Sequence, residues 1–283
     1  MDTHHEITED RTYVFPSAFL DPKESERLDD LHRGFTTYLG GLLPSKLGLI
    51  EVRKVLELGS GSGAWAIQAA LEFPSAEVIA VDINPLPNRP LPSNLTFKKA
   101  NVTEALPFEN ETFDIVHARL IMMHLPRGHE VFRRCFDLIK PGGWLVVEEP
   151  DDGAMADGGK ALGPGMTEFV GTWMRTMRSR EADPTFGKGM EALVRESGQF
   201  DEINIKKVTI PISGKSKDHA ENQFGMALKR TIQRLWTNVE EDRLGDLGTD
   251  KSAAMKHLEE INDESRSITT DMYFMWSRKR RAE

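Results

Sequence analysis

The sequence predicts an α/β fold: a doubly wound, mostly parallel seven-stranded sheet with an N-terminal helical cap and a helical C-terminal insertion. Three observations lead there. Lys54 to Gly63 reads KVLELGSGSG, an apolar strand running into a turn with glycine at every second position. The following AWAIQAALEF puts Ala66, Ala69, Ala70 and Phe73 on one helical face. Short apolar runs then recur with helices or loops between them, the pattern of strands buried on both faces of a parallel sheet.

Composition excludes several classes of protein. A chain of 283 residues buries roughly three quarters of its unfolded surface. With 39% hydrophobic and 29% charged residues it has the make-up of a folded domain. A formal charge of -9 argues against a nucleic-acid partner, which calls for a basic face. No apolar run approaches the roughly 20 residues that span a bilayer, so no membrane partner is expected. The acidic opening MDTHHEITED lacks the regions of a signal peptide. The expectation is a cytoplasmic protein, and the basic run Arg278-Lys279-Arg280-Arg281 leaves a nuclear address open. The single cysteine, Cys135, sits in a helical pattern beside Phe132, Phe136 and Ile139, which favours packing over thiol chemistry.

In chain order, residues 1–12 read as an arm. Asp21-Pro22, with Glu24 three residues after Asp21, forms a capping-box start. The helix it opens carries Leu28, Leu31, Phe35 and Leu39 on one stripe and ends at Gly40-Gly41, and it is expected to cap the mouth of the sheet. After the glycine turn and its helix, Glu77 to Asp82 is the second strand. Asp82 lies about 20 residues past the last glycine, where such folds place a ribose-binding carboxylate; a solubilising strand-end charge is the alternative. Pro85, Pro87, Pro90 and Pro92 forbid a crossover helix. Leu95 to Lys99 is the third strand, followed by Asn101-Val102, and Phe113 to Arg119 is the fourth. Arg127 to Lys140 is a helix with Val131, Cys135 and Leu138 inward, broken by Pro141-Gly142-Gly143 before the fifth strand, Trp144 to Glu149. DDGAMADGGKALGPG reads as a long functional loop. Beyond it come a helix with Phe169, Trp173 and Met177 on a stripe, a helix over Gly187 to Ser197, and a strand at Ile203 to Ile212. Asp218 to Glu260 is mostly helical with a break near Gly245 to Gly248, and Met272 to Trp276 is the last strand.

Ligands of such sheets bind outside the carboxyl ends of the strands. Those ends carry Gly59 to Gly63, Asp82, Asn101, His117 to Arg119 and Glu149 to Asp152. Oxidoreductase and methyltransferase readings compete there. A nicotinamide-type turn has GxGxxG spacing, whereas this one is GxGxG with Glu57 just ahead. The blocks ELGSGSG, VDIN, Asn101-Val102, PFENETFDIVHAR and LIKPGGWLVVEE, in that order, resemble class I S-adenosylmethionine-dependent methyltransferases over Val52 to Pro150. ESERLDDLH, GAWAIQAALEFPSAEVIAVDINP, LPSNLTF and FDIVHAR are further similar to the fungal LaeA-like methyltransferases. That family holds regulators and tailoring enzymes of secondary metabolism. The C-terminal half matches in outline, with DMYFMWSRK similar to the closing hairpin of the fold.

The resemblance implies a Rossmann-like core at 51–150 binding S-adenosyl-L-methionine. An arm and cap helix occupy 1–50, and substrate-binding helices and closing strands of the same domain occupy 151–283. It places Glu57, Gly59, Ser60, Gly61 and Gly63 around the methionine part of the cofactor. Asp82 is implied on the ribose, Ile83 against the adenine and the Val102 amide on the ring. Asn101 stands where the family commonly has aspartate, and its carbonyl can accept the adenine amino group. His117 and Arg119 are implied near the cofactor carboxylate, with an ion pair from Arg119 to Glu24 or Asp29 as the structural alternative. His124 has the titration range of a general base, and helix capping or core packing is its other reading. Glu149, Asp151 and Asp152 are the other catalytic candidates, and no metal is expected. Phe169, Trp173 and Met177 either line a pocket under the glycine-rich segment or form plain core. The implied activity is methyl transfer to an oxygen or nitrogen of a small, largely apolar metabolite. A nuclear regulator acting through protein partners, and a same-fold catalyst of another reaction, are the alternatives.

Overall fold

Aliphatic runs buried on both faces become the central strands of a single sheet, whose two edge strands are partly exposed. β1 (Lys54–Leu58), β2 (Glu77–Asp82), β3 (Leu95–Lys99), β4 (Phe113–Arg119) and β5 (Ile139–Asp157) pair in parallel. β6 (Phe200–Pro211) and β7 (Ile268–Lys279) complete the order β3-β2-β1-β4-β5-β7-β6, with β7 antiparallel to both neighbours. This is the doubly wound seven-stranded architecture expected from the sequence. The computed structural model describes residues 22–44, 47, 51–238, 244, 245 and 248–281. The 1–12 arm, the Asp21 N-cap and part of the break near Gly245 to Gly248 lie outside the described residues.

Strand alternation sorts the core. Leu56, Leu58, Val116, Ala118, Leu145 and Val147 face α3 (Gly128–Leu138) and α5 (Phe186–Ser197), meeting Phe132, Phe136, Met190 and Val194. Val55, Val78, Ala80, Ile115 and Val146 face α2 (Ala64–Glu72), meeting Trp65, Ala66 and Ala69. Cys135 is buried on α3, where burial pushes its thiol up to about 12, so it packs as a small apolar group.

The cap helix α1 (Pro22–Leu39) docks against α6 (His219–Asn238). Gly34 permits the approach, since a Cβ there would stand 2.6 Å from that of Ala227. Phe35 then enters an aromatic cluster 4.5 Å from Phe224 and 6.0 Å from Phe274 of β7. Burying that one ring contributes roughly 2 kcal/mol.

Three expectations change. The glycine-rich stretch from Asp151 is a loop only in its second half, residues 158–163, because β5 continues to Asp157 and pairs Ala156 with Thr269 and Asp157 with Ile268 after a bulge. The cause is the length of β7, whose backbone groups supply partners that no local pattern reveals; Arg266 and the Ser267 amide also bind the Asp157 carboxylate. Pro141-Gly142-Gly143 is a bulge rather than a break, with the ladder to β4 stepping from Phe113–Ile139 to Ile115–Trp144. The basic run is not a detached tail: Arg278 and Lys279 belong to β7, Arg278 pairs with Asp201 and Glu202, and Lys279 Nζ donates to Phe136 O. Among the described residues, no helix is long and apolar enough to cross a membrane.

Candidate active site

The glycine turn forms because its first amides return to the sheet. Gly59 N and Ser60 N both donate to Val81 O, at 2.8 and 3.0 Å, and Gly63 N closes the turn on Ser60 O. Gly59 has φ +68, and a Cβ there would collide with Ile121 Cδ1, so only glycine fits between the turn and the segment after β4. Asp82 locks the turn from the neighbouring strand. Its Oδ2 accepts from Gly61 N at 2.8 Å and its Oδ1 from Asn84 N at 2.9 Å. Burial raises its carboxyl, and the Asn84, Gly61 and Ile83 amides oppose that rise.

Around this turn the carboxyl ends of the strands enclose a cleft of about 320 Å³. Glu57, Gly59, Ser60, Gly61, Asp82, Ile83, Asn101, Val102, Arg119 and His124 all line it. Gly63, at φ +77, closes the turn without lining the cleft. His117 and Glu149 are not on the wall: both are fully buried, one under the sheet face and one behind the segment after β4. Asn101 Oδ1 already accepts from Thr103 N and Thr103 Oγ1, at 3.0 and 2.7 Å, so the carbonyl that the sequence offered to a ligand is engaged.

A row of ionisable groups crosses three strands beneath the polar end. Glu57 of β1 lies opposite His117 of β4, with 3.8 Å between Oε1 and Nδ1. The other ring nitrogen, His117 Nε2, is 3.0 Å from Glu148 Oε2, which also accepts from Arg119 Nε at 2.6 Å. Trp65 stacks on the His117 ring at 3.7 Å, nearly parallel. Burial lowers His117 to about 4, so the ring is neutral and donates to Glu148. Burial is the largest influence on Glu148 and works to raise it, but Arg119 and His117 together outweigh it and bring the carboxyl down to about 2. Burial drives Glu57 well above the ordinary range, against the pull of the Arg119 charge and the Ala66 amide. The alternative ion pairs for Arg119 do not form: Glu24 binds Arg27 and Asp29 binds Arg89.

The other end of the cleft is apolar. Phe169 and Trp173 of α4 (Pro164–Ser179) form its wall with Met155, Leu228, Ile232 and Met272. Met177 is buried in the core beyond it. Asp152 fixes the Trp173 indole, whose Nε1 donates to Oδ2 at 2.7 Å. Burial raises Asp152 to about 7, against the pull of that bond. His124 belongs to a short 3-10 turn, Met122–His124, and its ring lies 6.0 Å from the Trp173 ring centroid. Burial lowers it to about 4, with the Arg27 charge adding to the effect. Glu149 Oε1 accepts from Ile121 N and Met122 N, at 2.9 and 2.7 Å, so it fastens the segment that carries His124. Among the described residues, no cluster of three histidine, cysteine or acidic side chains is placed to hold a metal.

Sequence reasoning missed Glu148 and His32. Glu148 is one of two adjacent acids whose strand alternation sends them to opposite faces, a signal present in WLVVEE. His32 is a polar residue on the apolar stripe of α1, beside Leu28, Leu31 and Phe35.

Residues 25–182 match the family model described as a methyltransferase domain. The methyltransferase str3 of Strobilurus tenacellus is 40% identical over 266 residues, 91% of this chain and 94% of that protein. The secondary metabolism regulator laeA of Coprinopsis cinerea is 24% identical over 72% of this chain and 54% of its own length. Among solved structures, a phosphoethanolamine N-methyltransferase of Haemonchus contortus, in complex with phosphomonomethylethanolamine and S-adenosylhomocysteine, matches with a TM-score of 0.51. It shares 18% identity and covers 93% of this chain and 59% of that one, a likeness of fold.

Proposed function

This chain belongs to the methyltransferase-domain family, in its class I S-adenosylmethionine-dependent group, and on that premise we propose that it methylates an oxygen or nitrogen of a small, largely apolar secondary metabolite. The observation that carries the reading is a set of three buried polar atoms without partners on the wall of the polar end: Glu57 Oε2, Ser60 Oγ and Arg119 Nη2. A carboxyl, a hydroxyl and a guanidinium are the chemistry that an amino-acid head group requires.

The residues present therefore fit the cofactor. Arg119 and Ser60 bind its carboxylate, Glu57 its ammonium, Asp82 its ribose, and Ile83 and Val102 flank its base. Because Asn101 Oδ1 is taken by Thr103, Asn101 contributes its amide donors. When bound, S-adenosylmethionine supplies an electrophilic methyl group on a sulfonium. The chain's own task is then to hold the acceptor in line and take its proton, and positioning of this kind removes a large share of such a barrier. Phe169 and Trp173 exclude water and orient an apolar acceptor. His124 and Asp152 are the titratable groups on that wall. A group with a pKa near 7 is better matched to proton removal at neutral pH than one near 4, so Asp152 takes the proton and neutral His124 orients the acceptor.

The test is calorimetric titration with S-adenosylmethionine, followed by transfer of a labelled methyl group to a panel of phenols, alcohols and amines. Binding with transfer to at least one supports the proposal; absence of cofactor binding ends it. The similarity to laeA favours a second reading, a regulator that keeps the cofactor site and works through protein partners. Cofactor binding without turnover of any small acceptor, together with capture of a stable protein partner, selects that reading.

A further inference from the structure

We propose that His32, on the cap helix, is a positioning residue that aims Arg119 at the carboxylate of the bound cofactor. The inference rests on the reading of the polar end given above. A guanidinium is permanently charged and only donates. Arg119 Nη1 lies 3.1 Å from His32 Nδ1, so that nitrogen is the acceptor and the ring is neutral. Its proton sits on Nε2, which faces Gln68 Oε1 of α2 at 2.7 Å. The two contacts fix one tautomer between two elements. Burial and the Arg119 charge lower His32 to about 4, in keeping with that state.

Arg119 is thus held on three sides. Nε donates to Glu148, Nη1 to His32, and the guanidinium lies 4.2 Å over the Phe35 ring, also on α1. Two bonds fix the plane of the fork, and Nη2 remains buried and unpartnered on the cleft wall. The same helix touches the glycine turn, where a Cβ on Gly61 would stand 3.1 Å from Leu28 Cδ1. Docking of α1 is therefore coupled to the amino-acid end of the ligand rather than to its adenosine end.

The test compares two ligands by calorimetry. S-adenosylhomocysteine carries the amino-acid carboxylate, and 5′-methylthioadenosine shares the adenosine without it. Two variants separate the roles: His32→Asn keeps an acceptor near the Nδ1 position, and His32→Phe keeps a ring with no acceptor. His32→Phe should weaken S-adenosylhomocysteine about tenfold or more and leave 5′-methylthioadenosine within about twofold, since a bond to a charged group is lost. His32→Asn should retain most of the wild-type preference. An unchanged preference in His32→Phe, equal weakening of both ligands, or Asn behaving worse than Phe overturns the proposal and leaves the cofactor reading standing. Wild-type protein that binds the two ligands equally overturns the Arg119 reading itself.

Discussion

The two ends of the cleft are built on different physical terms. The polar end is made of strand termini, and its side chains are fixed by the sheet register, as where Glu57 faces His117 and Arg119 faces Glu148. The apolar end is made mostly of helices and a short turn, with Met155 and Met272 added by β5 and β7, and there Phe169, Trp173 and His124 are fixed by packing, by the half-buried Asp152 and by the buried Glu149. A register leaves little freedom, so the polar end is expected to change little between related chains. Helix packing tolerates substitution, so on the proposed reading the apolar end is where acceptor choice would be set.

The comparison breaks most sharply at Glu148. Glu148→Leu removes the partner of Arg119 and His117 and leaves a buried uncompensated guanidinium, which costs about 3–5 kcal/mol. Urea denaturation should show that loss, and a change below about 1 kcal/mol would mean that the row does not hold the polar end together. Asp82→Ala should reduce S-adenosylmethionine affinity at least about tenfold, equivalent to about 1.4 kcal/mol. Unchanged affinity removes Asp82 from the ribose. Phe169→Ala, at the other end, should leave S-adenosylhomocysteine affinity within about twofold while raising the KM of an apolar acceptor several-fold. Equal loss for cofactor and acceptor would show that the two ends are not separable.

The smallest effect is a matter of pH. The folded-state pKa of Glu149 is raised by burial from 4.5 to about 8, so the folded chain holds a proton that the unfolded chain releases above about 4.5. Stability from this group is present at low pH and is lost as pH rises from 4.5 towards 8. Glu149→Gln keeps an oxygen to accept from Ile121 and Met122 without titrating. It should gain on the wild type across that window in denaturation measured at several pH values, and parallel curves would assign the shift elsewhere.

How much of this was legible in the sequence follows the same division. KVLELGSGSG, the strand-end Asp82 and the tip of FDIVHAR announce the polar end, because burial, periodicity and glycine geometry are local signals. The His32–Arg119–Glu148 contacts join residues far apart in the chain, and no local pattern pairs them. The extension of β5 to Asp157 depends on β7, more than a hundred residues later, and for that reason the sequence alone starts the loop at Asp151 rather than after Asp157. His117, prominent in the motif, turned inward because strand alternation places it on the face covered by Trp65. Asp152 sat unremarkably among three acids until the fold showed that it alone of Glu149, Asp151 and Asp152 lines the cleft.

The most direct test of the account is a crystal structure with S-adenosylhomocysteine bound. The account predicts the ligand carboxylate within hydrogen-bond reach of Arg119 Nη2 and Ser60 Oγ, its ammonium on Glu57, and its sulfur facing the apolar end. A ligand bound in the opposite sense, with its carboxylate among Phe169, Trp173 and Met272, would contradict it.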